Sequence, residues 1–248
     1  MKYYVTADPH GFFTPFQKAL KDSGFFQDSD PHKLIVLGDL FDRGTEAVLL
    51  QGFIQDLMND GQVILIKGNH EDLFQELVTM DKGLPYGHHV SNGTYDTALQ
   101  LTGYDFVMAR IKNYDFAETA KDTPYYKQII PAMIDYYETE HYIFTHGWLP
   151  CPHGDAGYGY NENWRKASPE EWYEARWYNG MDAARSSREE KTVICGHWHC
   201  SYGHSTYEKK GSEFGTDADF NPYYDRGIIA LDACTAFSGK VNVLVIED

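Results

Sequence analysis

Ten residues of this 248-residue chain have the types and the company for chemistry: Asp8, His10, Asp39, Asp42, Arg43, Asn69, His70, His146, His197 and His199. They fall in five short polar runs, DPHG, GDLFDRG, GNHE, THG and GHWH. Carboxylates with neutral imidazoles make a borderline-hard donor set, suited to Zn, Mn or Fe rather than Ca or Cu(I). None of the four cysteines belongs to it, which argues against a structural zinc knot. The donors are too many for one ion, and a carboxylate can bridge two. The count therefore predicts two divalent or transition-metal ions, a pair that at about 3.5–4 Å apart clamps an in-line displacement at phosphorus. Any one of these histidines alone would read as a satisfied polar residue near a turn; their recurrence in successive runs carries the metal reading. His32, His88, His89, His141, His153 and His204 have no such setting.

Each polar run closes a short apolar one. Tyr3–Thr6, Leu34–Leu37, Val63–Ile66, Tyr142–Phe144 and Thr192–Cys195 read as buried strands. Between the first three lie helical spacings, one stripe formed by Phe16, Leu20 and Phe25 and another by Val48, Leu49, Phe53 and Leu57. The order β-α-β-α-β-α is that of an α/β sheet. In open α/β sheets ligands bind beyond the carboxyl ends of the strands, so five such ends would converge on one place. The tail RGIIALDACTAFSGKVNVLVIED reads as two strands joined by a Gly-containing turn, completing a sheet without supplying ligands. One domain over residues 1–248 is the simplest organisation, with cap-like insertions at about 80–137 and 148–190. The first is expected to include a helix ending in PAMIDYYE. The second holds Trp148, Trp164, Trp172 and Trp177 with Arg165, Arg176, Arg185 and Arg188. Its aromatic part, 148–178, suits either packing against the core or stacking on a nucleobase.

Composition narrows the partners. Against 37 Asp and Glu stand 21 Lys and Arg, a formal net charge of −16, which disfavours nucleic acid and anionic membranes. Cys151, Cys195, Cys200 and Cys234 form no C-x-x-C pair and read as reduced thiols. No stretch approaches the about 18 apolar residues of a membrane span, and MKYYVTADPHG has no leader pattern. A cytoplasmic protein is expected; nothing in the sequence sets its oligomeric state.

In this order the five runs resemble the motif set of the calcineurin-like metallophosphoesterases, over positions 8 to 199. The DRG and GNHE forms are most similar to the serine/threonine phosphoprotein-phosphatase branch and its bacterial relatives. The closing LDACTAFSGKVNVLVIED is similar to the C-terminal strand pair of bacterial symmetrical dinucleoside-tetraphosphate hydrolases. The resemblance implies a four-layer α/β/β/α sandwich, two mixed sheets flanked by helices. It implies a first metal on Asp8, His10 and Asp39 and a second on Asp39, Asn69, His146 and His197, with Asp39 bridging. His199 matches a first-metal ligand of many members that the protein-phosphatase branch lacks. Lys67 stands where some relatives carry a phosphate-contacting arginine.

Under the same resemblance a metal-bridging hydroxide attacks phosphorus directly, Arg43 grips phosphate oxygens, and His70, oriented by Asp42, protonates the leaving alkoxide. Gly44 is expected to let the backbone turn sharply out of the site. The expected activity is hydrolysis of phosphate monoesters, serine/threonine protein phosphatase-like. A dinucleoside polyphosphate or other small phosphate is the alternative substrate, and an inactive metal-binding scaffold is the alternative class.

Overall fold

The structure, a computed structural model, describes residues 1–80 and 85–248. The chain opens with β1 (Lys2–Thr6), α1 (Phe13–Asp22), β2 (His32–Val36), α2 (Ala47–Asn59), β3 (Val63–Leu65) and α3 (Asn69–Thr79), the alternation expected from the sequence. Helices α4 (Gly87–Ser91), α5 (Thr94–Thr102), α6 (Phe106–Ile111) and α7 (Asn113–Lys121) follow. A wide helical turn, Tyr125–Ile129, then leads into α8 (Ile130–Ala132). The second half runs β4 (Tyr136–Glu138), β5 (Tyr142–Thr145), the small hairpin β6 (His153–Gly154) and β7 (Gly157–Tyr158), α9 (Pro169–Ala175) and α10 (Gly180–Ala183). It ends with β8 (Thr192–Cys195), α11 (Cys200–Thr206), β9 (Tyr223–Asp225), β10 (Ile228–Ala230), α12 (Thr235–Ser238) and β11 (Val243–Glu247).

These strands make two mixed sheets. The first has the order β11-β1-β2-β3, with β1, β2 and β3 parallel and β11 antiparallel to β1. The second has the order β4-β5-β8-β10-β9, its three inner strands parallel and both edges antiparallel. Strand alternation sorts the side chains into layers. Val5, Ile35, Leu37, Ile66, Phe144, Ile194 and Leu231 fill the space between the sheets. Tyr4, Leu34, Val36 and Leu65 point the other way, into a core shared with the helices outside the first sheet. Trp148, Trp164, Trp172 and Met181 cover the far side of the second sheet against Ile143, Val193 and Ile228. This is the four-layer α/β/β/α arrangement, and each fully buried Ile or Phe in it contributes about 1.5–3 kcal/mol.

Four local expectations are corrected. In α2 the buried stripe is Ala47, Leu50, Ile54 and Leu57, while Val48 and Leu49 are exposed. The apolar run is long enough to support two phases, and packing on the sheet chose the other. Phe25 lies beyond α1, in a short helical turn after Gly24. The helix expected to run through PAMIDYYE stops at Ala132, and Tyr136–Glu138 joins the second sheet. The tail strands do not pair with each other: β10 lies beside β8 in one sheet and β11 beside β1 in the other, so the tail bridges both sheets. Of the insertion expected at about 80–137, residues 81–84 lie outside the described residues. No helix among the described residues is long and apolar enough to cross a membrane.

Candidate functional site

Nine of the ten residues singled out in the sequence lie just beyond strands β1, β2, β3, β5 and β8, or on the first turn of α3. Each of those strands is parallel to a neighbour, so their carboxyl ends share one edge of the molecule. Reaching that edge strains the backbone. Asp8, His10, Asp39, Asp42, Arg43 and His197 all have φ between 48° and 76°; among the described non-glycine residues only Lys209 and Cys234 join them in left-handed backbone. Left-handed backbone costs about 1–3 kcal/mol for such residues, so their concentration here marks a site that the surrounding fold holds in place. Close approach does the same at Gly68, where a Cβ would lie 2.2 Å from Asp39 Oδ1. Gly44 also earns its place by crowding, not by its turn. Its φ is not positive, and a Cβ there would meet the Gly11 carbonyl carbon at 2.4 Å.

The hydrogen bonds fix which imidazole nitrogens are free. His10 Nδ1 donates to the Phe41 carbonyl at 3.0 Å, which leaves Nε2 with its lone pair. His146 Nδ1 donates to the Leu37 carbonyl at 2.7 Å, and its Nε2 then faces two further acceptors, Asn69 Oδ1 at 2.8 Å and Asp39 Oδ1 at 3.4 Å. Three lone pairs pointed at one another in a buried place suit a cation between them. The His197 ring bonds the Trp177 carbonyl, and its backbone N–H donates to Asp8 Oδ2 at 3.0 Å. Asp8 Oδ1 is buried with no hydrogen-bond partner.

Two compact groups of His and carboxylate donors result, His10–Asp39–His70 and Asp39–His146–His197, with Asp39 common to both; His70, expected as the acid, stands in the first, and Asp8, expected as a ligand there, joins neither. Electrostatics agree with donors waiting for a cation. Burial lowers His10 and His146, and holds His197 down at about 3, so these rings are neutral ligands. Burial would raise Asp39, but His146, His70, His10 and His197 around it bring its carboxyl below the usual range. Asp8 moves the other way, pushed well up by burial and then by the charges of Asp232 and Asp39. The donor set therefore fits a pair of cations.

His70 is different in kind. Its Nδ1 lies 2.6 Å from Asp42 Oδ2, and Thr94 and Thr97 hydroxyls donate to the two oxygens of that same carboxylate at 2.6 and 2.8 Å. Burial opposes charge on His70, but Asp39 and the bond to Asp42 outweigh it and raise its pKa. Arg43 reaches across the mouth with NH1 3.0 Å from His10 Nε2 and NH2 3.4 Å from His70 Nε2. The other basic candidates are engaged elsewhere. Lys67 pairs with Asp72 at 2.6 Å, Arg176 with Asp72 and Asp135 at 2.7 and 2.8 Å, and Arg165 with Glu138. Arg185 sits over the Tyr207 ring.

The tenth residue, His199, is turned aside: its Nε2 meets Glu213 Oε1 at 2.8 Å, Phe214 packs on its ring, and it joins neither compact group. Two residues with no role in the sequence reading prove central. Glu71, fully buried, accepts from the N–H groups of Asp39, Leu40 and Gly68 and from the Tyr125 hydroxyl, tying the end of β2 to the start of α3. Burial and then the Asp39 charge raise its pKa to about 7. Asp232, just past β10, lies close enough to Asp8 to be the leading charge acting on it, and burial raises its own pKa to about 7. Glu71 was visible as the last letter of GNHE; Asp232 was hidden in a tail read as sheet only.

Comparison with known proteins identifies the family and the fold. The family model for calcineurin-like phosphoesterase matches residues 1–215, and the chain belongs to that family of metal-dependent phosphoric ester hydrolases. No curated protein sequence matches it. Among solved structures it resembles a protein described as a diadenosine tetraphosphatase (TM-score 0.54, 14% identity, covering 99% of this chain and 89% of that one). It also resembles the cold-active protein-tyrosine phosphatase of a psychrophilic Shewanella species (0.56, 15%, 100% and 75%). A third likeness is a protein serine/threonine phosphatase from Saccharomyces cerevisiae with similarity to human phosphatase PP5 (0.53, 13%, 100% and 80%). At these identities the likeness is one of fold.

Proposed function

We propose that this chain is a dinuclear-metal phosphomonoesterase of the serine/threonine protein phosphatase type. The observation that supports it most is the pairing of two donor groups through Asp39, with the Asp42–His70 dyad and Arg43 at their mouth. Asp8, His10 and Asp39 would hold one ion, and Asp39, Asn69, His146 and His197 the other, drawn from Mn, Fe or Zn. When bound, the ions supply positive charge to the phosphate and acidify a water for attack at phosphorus. Arg43, without an acidic partner among the described residues, turns its planar fork to the phosphate oxygens and orients the ester in line. Asp42 keeps His70 charged and correctly turned. His70 then delivers a proton from Nε2 to the departing alkoxide, which is too basic to leave without one. The scaffold reading requires a gap in this donor set, and Asp8, His10, Asp39, Asn69, His146 and His197 are all present at the strand ends.

The chain would work as one unit, with 80–137 and 148–190 as insertions beside the site, in a cytoplasmic setting where four unpaired thiols are ordinary. A small-molecule substrate such as a dinucleoside polyphosphate is favoured by one observation, the 42% exposure of Trp177 beside His197. A screen of Mn-loaded protein on p-nitrophenyl phosphate, phosphoserine peptides and diadenosine tetraphosphate tests the proposal. Monoester hydrolysis abolished by chelation is the expected result; two bound metals with no hydrolysis of any substrate would overturn it.

A further inference from the structure

Beside the metal donors runs a cleft that neither the phosphate chemistry nor the core packing uses. Two adjoining hollows of about 420 and 410 Å³ share His153, Glu174 and Tyr178 in their walls. Trp177, Tyr173 and Tyr158 complete the first, and Glu171 edges the second. The cleft abuts the catalytic floor directly. His197 bonds the Trp177 carbonyl, and the two rings lie 6.0 Å apart, edge to face. Its inner wall is built, not loose: His153 stacks on Tyr158 at 4.2 Å, and Tyr158 and Tyr178 pack at 5.2 Å.

Charge decides what such a cleft takes. Glu171 and Glu174 are exposed, and neither is paired with a lysine or arginine among the described residues. One Glu171 oxygen accepts from the Ser168 N–H, and the Tyr178 hydroxyl donates to the Cys151 carbonyl, so both glutamates have oxygens to offer. The nearest arginine, Arg176, is locked to Asp72 and Asp135, with its guanidinium 5.8 Å from the Tyr173 ring. Aromatic faces edged by uncompensated carboxylates attract cations, and a chain of net charge −16 strengthens that field. A polyphosphate chain would set its own negative charge against the same two carboxylates.

We propose that this cleft binds a lysine or arginine side chain of a phosphopolypeptide substrate, placing the positive residue on Trp177 and Glu174 while the phosphate enters beneath Arg43. The inference rests on the phosphomonoesterase reading and names its substrate class. The test uses Mn-loaded full-length protein and phosphoserine peptides that differ only in carrying Arg, Ala or Glu within three residues of the phosphoserine. The Arg peptide should exceed the Ala peptide about tenfold in kcat/KM, mostly through KM, and the Glu peptide should be poorest. In Glu174→Gln and in Trp177→Leu the Arg-to-Ala ratio should fall to within about threefold. Equal rates on the three peptides, or an Arg preference that both variants retain, would overturn the inference. So would a better rate on diadenosine tetraphosphate than on any peptide, lost in Trp177→Leu, which would make the cleft a base-stacking wall. If the parent fails even on p-nitrophenyl phosphate, the underlying reading falls, and this inference with it.

Discussion

Two regions among the described residues bring imidazoles and a carboxylate within reach of one another, the floor around Asp39 and the outer group at Glu76, and their hydrogen bonds differ. On the catalytic floor His10 and His146 give their Nδ1 protons to the carbonyls of Phe41 and Leu37, so each Nε2 keeps its lone pair, turned to Arg43 in the first and to the Asn69 and Asp39 oxygens in the second. On the outer surface, Glu76 Oε2 lies 3.0 Å from His88 Nε2 and 3.2 Å from His89 Nε2. There the buried His89 receives the Tyr86 N–H on Nδ1 at 3.1 Å, so its proton sits on Nε2 and is donated to Glu76. The outer group is thus already satisfied: it caps α4 and ties it to α3. On the floor, acceptor faces acceptor: His146 Nε2 is turned to the oxygens of Asn69 and Asp39. What separates them is the bond made by the far nitrogen, a feature that neither residue type nor spacing reveals.

The comparison breaks most visibly at Asp39. Asp39→Asn removes the one carboxylate common to both donor groups, so metal content should fall from near two ions per chain and kcat/KM by at least about 10³. Metal analysis beside phosphatase assays checks this; full occupancy with parental activity would sink the two-metal assignment in which Asp39 bridges both ions.

Next comes His70, the floor imidazole whose pKa is raised, by Asp39 and by the bond to Asp42, against the burial that opposes its charge. His70→Asn should slow alkyl phosphate hydrolysis by about 10²–10⁴. It should slow p-nitrophenyl phosphate distinctly less, because that leaving group departs without a proton. Asp42→Asn should follow the same trend more weakly. An equal loss on both substrates with metals retained would take His70 out of the acid role.

Arg43→Ala should cost about 10²–10³ in kcat/KM, or about 3–4 kcal/mol, with metal content intact. Because Lys67, Arg165 and Arg176 are committed to carboxylates, no other side chain among them is free to replace it. Unchanged kinetics would show that the fork is structural.

The smallest effect sharpens the contrast from the other side. His88→Ala, at an exposed position, should leave both metal stoichiometry and activity at the parental level. His89→Ala should lower stability by about 2 kcal/mol through lost packing and capping, again with metals unchanged. Loss of an ion in either variant would place a third metal on the outer cluster.

Much of this was legible in the amino-acid order. Five apolar runs of β-branched and aromatic residues each ended in a polar cluster, and strand periodicity is local, so β1, β2, β3, β5 and β8 could be read almost to the residue. The parallel order then forced their carboxyl ends to one edge. The phase of α2 was not legible, since Val48 and Leu49 are as apolar as Leu50 and Ile54. Nor was the split of the tail, because β10 and β11 each choose partners far away in sequence.

By itself, then, the sequence determined the chemistry on offer: which donors exist, that cysteine is not among them, and that they gather at strand ends. Only the tertiary structure decided how each donor is used. It set the free nitrogens through the carbonyls of Phe41 and Leu37, turned His199 toward Glu213, and drew Lys67 and Arg176 onto Asp72. It also brought Asp232 in beside Asp8. The reason is physical. A side chain's type and its periodicity are properties of the local chain, whereas its protonation, its hydrogen-bond partner and its field are set by groups that folding brings from tens to hundreds of residues away.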